Sequence, residues 1–120
     1  MHKVFYSFFP HQTWTPSVNL YETESSYLVC VDLAGVEKEK IDVEVVDQRV
    51  TIKGSRAVPS NDQTNPSESR PRTRLHLMEI DHGPFAREVE LPKDVQKENI
   101  VAKYVDGMLW IELPKKIDPV

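Results

Sequence analysis

Side chains able to make and break bonds are few in this 120-residue chain. Its four histidines, His2, His11, His76 and His82, lack the spacing that would bring them to one ion, and the single cysteine, Cys30, has no thiolate companion. No metal site is expected. No Gly-x-Ser-x-Gly elbow offers an activated serine, and no Gly-rich loop with a lysine offers a phosphate cradle. Asp and Glu total 19, but they fall in turns or in outward strand phases, where water is their ordinary partner. The expectation is a protein without cofactor or catalytic chemistry, not an enzyme. Arg70, Arg72 and Arg74 form the one basic cluster, read as a solvated loop among Pro and Ser. With a net charge of −4, nucleic acid is not an expected partner, because phosphate contact needs a basic surface.

What remains is chemistry of contact. "KVFYSFFP", residues 3–10, carries Phe5, Tyr6, Phe8 and Phe9, and Trp14 follows close behind. The stretch does not read as an export signal: its apolar part is short, broken by Ser7 and Pro10, and no small-residue cleavage site follows. Nothing elsewhere approaches the ~18 apolar residues of a membrane span. The lone Cys30 rules out an internal disulfide and fits a reducing, cytoplasmic setting. Within "YLVCVDL" it reads as a small core hydrophobe rather than a reactive thiol.

The elements that must position these groups have period two. "SVNLYE" alternates at Val18 and Leu20; "SSYLVCVDL" at Tyr27, Val29, Val31 and Leu33, with Leu28 and Cys30 making its second face partly apolar. "IDVEVVD" sets Ile41, Val43 and Val45 against Asp42 and Glu44, and "RVTIKG" turns Val50 and Ile52 inward. "FAREVELP", "IVAKYV" and "MLWIELP" follow. Short β-branched runs separated by turn signals predict an all-β sandwich in one domain. Asp106-Gly107 predicts a tight hairpin turn needing φ > 0 at both positions, and Asp47-Gln48 a weaker one. Residues 36–52 echo residues 95–111 at an offset of 59, from Val36/Val95 to Ile52/Ile111. Two similar hairpins suit a sandwich in which each sheet contributes one.

The stretch 55–73, "SRAVPSNDQTNPSESRPRT", is Pro-, Ser- and Asn-rich. Loops this long are uncommon in compact domains unless functional or disordered. It is either an insertion or a tether that lets the next strand, 75–81, pair away from its own sheet. That strand has apolar residues in both phases, Leu75 and Leu77 in one and Met78 and Ile80 in the other, as expected of an element covered on two sides. Arg87 falls in an inward phase, where an unpaired charge is costly. It belongs either to an interface edge or to a rim salt bridge.

"AKYVDGMLWIELPK" holds Ala102, Asp106, Gly107 and Leu109 in the pattern Ala-x-x-x-Asn/Asp-Gly-x-Leu. This resembles the signature of the small heat-shock proteins, the α-crystallin-domain family. "VDLAGVEKEKIDVEV" (31–45), "VTIKGSR" (50–56) and "GPFAREVELP" (83–92) agree in order, so the resemblance covers residues 16–114. It implies an immunoglobulin-like β-sandwich acting as an ATP-independent holdase on partly unfolded proteins under stress. It also implies a homodimer in which strand 75–81 is exchanged onto the partner's strand near Val18–Tyr21. The expected dimer interface is Val18, Leu20, Leu75, Leu77, Met78, Ile80 and Arg87. The expected groove for clients or a tail is Val43, Val45, Ile100 and Ala102.

The resulting division is an aromatic arm 1–15, the domain 16–114 and a tail 115–120. Two features depart from the family: the arm is short, and "KKIDPV" places Ile117 and Val120 three apart where an Ile-x-Ile/Val tail motif is usual. Extended residues share a face at i and i+2, not i+3. The expectation is therefore a dimer or a small higher oligomer. The arm aromatics either serve as a client surface or cover the apolar outer face near Leu28 and Cys30. The competing readings are a CS-type co-chaperone with one dedicated partner and a β-sandwich enzyme or ligand-binding module.

Overall fold

In the computed structural model, residues 13–59 and 74–117 are described. Seven strands form two antiparallel sheets: β1 (Val18–Glu22), β2 (Ser26–Asp32), β3 (Ile41–Val46), β4 (Arg49–Arg56), β5 (Gly83–Glu90), β6 (Val101–Val105) and β7 (Met108–Pro114). The sheet orders are β1-β2-β7-β6 and β3-β4-β5. The only helical element among the described residues is a short 3-10 turn, Lys38–Lys40, where the chain crosses from one sheet to the other.

Register explains the core. Val31 on β2 pairs with Val18 and Leu109, and Val29 pairs with Leu20 and Ile111. In the second sheet, Ile52 on β4 pairs with Val43 and Arg87, and Val50 with Val45 and Val89. Cross-strand partners share a face, so Val29, Val31, Leu109 and Ile111 meet Val50, Ile52, Phe85 and Val89 between the sheets, all buried. Leu33, Val36, Leu91 and Val95, on the connections, close the ends.

The echoed hairpins stand as expected, β3–β4 in one sheet and β6–β7 in the other. Their turns differ. Asp106 (φ 53°) and Gly107 (φ 79°) are both left-handed, whereas at the first hairpin only Asp47 (φ 55°) is. Gly54 is required by close approach: a Cβ there would lie 2.2 Å from the Lys40 carbonyl oxygen and 2.6 Å from the Phe85 ring.

Two boundaries need correction. The strand containing "VTIKGSR" runs on through Ser55 and Arg56, which the sequence assigned to the loop, because both residues pair with Pro84 and Gly83 of β5. Trp14 is not an arm residue. It is buried, its ring 5.1 Å from that of Phe85, and its indole N–H donates to the Gly83 carbonyl at 2.9 Å. The arm residues Phe5, Tyr6, Phe8 and Phe9 lie outside the described residues, as does most of the 55–73 loop.

Candidate functional site

One long edge of the sandwich carries β1 and β5. Arg87 projects from β5 toward the start of β1, and its Nη1 donates to the Pro16 carbonyl at 3.3 Å. β1 is the outermost strand of its sheet, so one side of its backbone has no ladder partner among the described residues. Leu20 faces inward by register with Val29, yet is 45% exposed. Nothing from its own chain covers it fully.

The segment 75–81 forms no strand with its own chain. Leu75, Leu77, Met78 and Ile80 are all exposed, Leu77 at 74%. Four apolar residues in both phases and an uncovered sheet edge therefore coexist in one molecule.

The root of this segment is held firmly. Arg56 Nε donates to the Asp81 carbonyl at 2.9 Å, Nη2 donates to the same oxygen, and Nη1 donates to the Ala34 carbonyl at 2.9 Å. Its guanidinium lies 4.2 Å from the centre of the Trp14 ring. The Thr13 hydroxyl donates to the carbonyls of His82 (2.8 Å) and Pro84 (3.0 Å), and the Thr13 N–H to Pro84 at 2.9 Å. Sequence reasoning missed Arg56, because the low-complexity stretch was started one residue before it. Pro59, the first residue there that interrupts a strand pattern, was the better boundary signal.

β3 and β6 are the remaining edge strands of the two sheets. Val43, Val45 and Ile100 are half-buried against the core, as are Ile41 and Tyr104. Ala102 pairs with the buried Ile111 and so faces inward, but it is exposed. The Tyr104 hydroxyl lies 2.6 Å from the Leu33 carbonyl and 2.8 Å from that of Val36.

At the end of β7 the chain is pinned before the tail. Val95 bridges to Lys115, the Lys116 N–H donates to the Asp94 carbonyl at 2.6 Å, and Lys115 Nζ pairs with Glu22 at 2.6 Å. The Tyr27 hydroxyl donates to Asp94 at 2.8 Å, and this bond to a carboxylate, with some desolvation, pushes the phenol pKa up to about 12. Burial likewise pushes the Cys30 thiol up, with Asp32 adding to it. Cys30 lies on the outward face of β2 rather than in the intersheet core, and it is buried there. Tyr21 on β1 and Trp110 on β7 stack at 5.9 Å across the strand between them. Among the described residues, no group of three or more His, Cys, Asp or Glu side chains could hold a metal ion. No described helix is long and apolar enough to cross a membrane.

A two-sheet sandwich whose β1 edge has no ladder partner among the described residues is the fold this chain shares with solved small heat-shock protein structures. The comparisons agree. The Hsp20/alpha crystallin family description matches residues 19–120, and the chain belongs to that family, a family of chaperones rather than enzymes. Small heat shock protein C2 of Rickettsia felis is 30% identical over 117 residues, covering 93% of this chain and 70% of its own. Small heat shock protein C4 of the same organism is 31% identical over 102 residues, covering 85% of this chain, which spans only 58% of that relative. Among solved structures, HSP18.5 from E. histolytica superposes with a TM-score of 0.74 at 27% identity, covering 89% of this chain and 93% of its own. A small heat-shock protein from Xylella fastidiosa gives 0.71 at 29%, covering 89% and 91%.

Proposed function

We propose that this chain is an ATP-independent holdase that works as a strand-exchanged homodimer or a small higher oligomer in a reducing, cytoplasmic setting. One observation carries the reading: an apolar segment, 75–81, left uncovered by its own chain, beside a β1 edge that is also uncovered. Val18 and Leu20 of one subunit would receive Leu75, Leu77, Met78 and Ile80 of the other, with Arg87 at the rim. The loop from residue 60 to 73, outside the described residues, would serve as the tether. Within this scheme residues 16–114 are the working domain and 115–120 the tail.

Unfolding proteins expose apolar side chains and unpaired backbone. A groove between β3 and β6, with Val43, Val45, Ile100 and Ala102 lining it, would offer a complement to both. The aromatics of the arm would add further contacts. Burying one Phe gains only about 1.5–3 kcal/mol, while association costs at least about 4 kcal/mol in lost freedom. A single ring cannot hold a client. Several rings on linked subunits can, because after the first contact the rest bind at high effective concentration. Such retention needs no nucleotide.

The test is to heat a thermolabile model protein with and without this chain, with no nucleotide present, and follow light scattering. Suppression near a one-to-one subunit ratio is the expected result. Undiminished aggregation, with the chain monomeric in solution, would instead favour a CS-type adaptor that binds one dedicated partner.

A further inference from the structure

The two outer faces of the sandwich are built for different surroundings. On the three-stranded sheet, the outward rows are Asp42, Lys53 and Ala86; Glu44, Thr51 and Glu88; and Val46, Arg49 and Glu90. That face is charged and suits water. On the four-stranded sheet, the outward rows hold Asn19, Cys30, Trp110 and Lys103, then Tyr21, Leu28, Glu112 and Val101, then Asp32, Met108 and Val105. Tyr21, Val101, Val105 and Trp110 are all exposed there. An apolar face this broad on a folded domain marks a contact surface.

We infer that this face is the docking site of the chain's own N-terminal segment, residues 1–12, through its aromatic side chains. The described chain begins at Thr13, fixed against Pro84, and enters β1 at Val18. The segment therefore starts at the β1–β5 edge, next to the face concerned. Twelve extended residues reach about 40 Å, whereas four strands at their usual spacing span only about 15 Å. The reach is ample. The segment carries Phe5, Tyr6, Phe8 and Phe9 and one charged residue, Lys3. A second copy stacked face to face would desolvate Asp32, Lys103 and Glu112 of both molecules, which is costly. A narrow aromatic segment can cover the Tyr21–Trp110 stack and leave these three charges at its margins. The face also continues past Tyr21 onto the β1 edge, so a docked segment would lie alongside the proposed exchange interface.

Two measurements on the full chain test this, and neither depends on chaperone activity. A photoreactive benzoylphenylalanine placed at position 110 should cross-link to residues 3–10. Cross-links to β1, β2 or β6 of a second copy, or none at all, would overturn the inference. Trp14 is buried, so acrylamide-quenchable emission reports Trp110. Replacing the four aromatics together (Phe5→Ser, Tyr6→Ser, Phe8→Ser, Phe9→Ser) should raise the quenching constant of Trp110 about two-fold, as a covering ring layer is lost. An unchanged constant would mean the face is bare in the parent protein and would sink the idea even if cross-linking were ambiguous.

Discussion

Arg56 and Tyr27 show how single side chains set the molecule's working geometry. The Arg56 fork reaches two carbonyls from different parts of the chain and stacks on Trp14. Hydrogen bonds from a charged group contribute about 1.5–3 kcal/mol. Arg56→Ala should therefore lower the unfolding free energy in urea by about 2–3 kcal/mol, and Arg56→Lys should recover little, since a point charge cannot reproduce the fork. Tyr27 is a pH reporter. Its phenol is held protonated up to about 12 by the bond to Asp94, above its unfolded value of about 10. The folded state favours the protonated form, so this stability is complete below about pH 10 and is lost as pH rises toward 12. Tyr27→Phe should flatten that alkaline decline in a denaturation series from pH 9 to 12.5. An equally steep decline in the variant would assign it to other groups.

At the scale of elements, the strands are held by close contact, and the loose segment is held only at its root. Gly54 lies where three parts of the chain approach, β4, the Lys40 carbonyl and Phe85. Gly54→Ala should cost about 1–3 kcal/mol by overpacking, seen as a lower thermal midpoint. Segment 75–81 should behave in the opposite way. Its apolar side chains are uncovered within the subunit, so the double variant Leu77→Asp, Ile80→Asp should leave the subunit fold intact by circular dichroism. The same variant should halve the mass measured by light scattering. An unchanged mass would place the dimer contact elsewhere.

For the whole molecule, the question is how many subunits gather. The tail root is pinned at Lys115 and Lys116, and Ile117 is exposed. Solution mass is expected at a dimer or a small multiple of it. A monodisperse particle of a dozen or more subunits would overturn this. The sandwich itself was readable in advance, because alternation places Val29, Val31, Val50, Ile52 and Ile111 on one side wherever the strands pair. The Asp-Gly turn and the echoed hairpins were equally plain. Trp14 and Arg56 were not, since their roles depend on residues 69 and 25 positions away. Cys30 is buried, as its reading as a small hydrophobe expected.

Period-two patterning, the turn residues and the motif around Asp106-Gly107 were enough to determine the all-β class, the family and the bounds of the seven strands to within a residue or two, whereas the strand expected at 75–81 is not formed within the chain. These are local properties, encoded by side-chain alternation and backbone preference along a few consecutive positions. Only the tertiary structure decided which edge stays open, which inward position, Ala102, is left uncovered, and what clamps the root of 75–81. Those outcomes depend on which strands become neighbours, and that is a property of the packed whole.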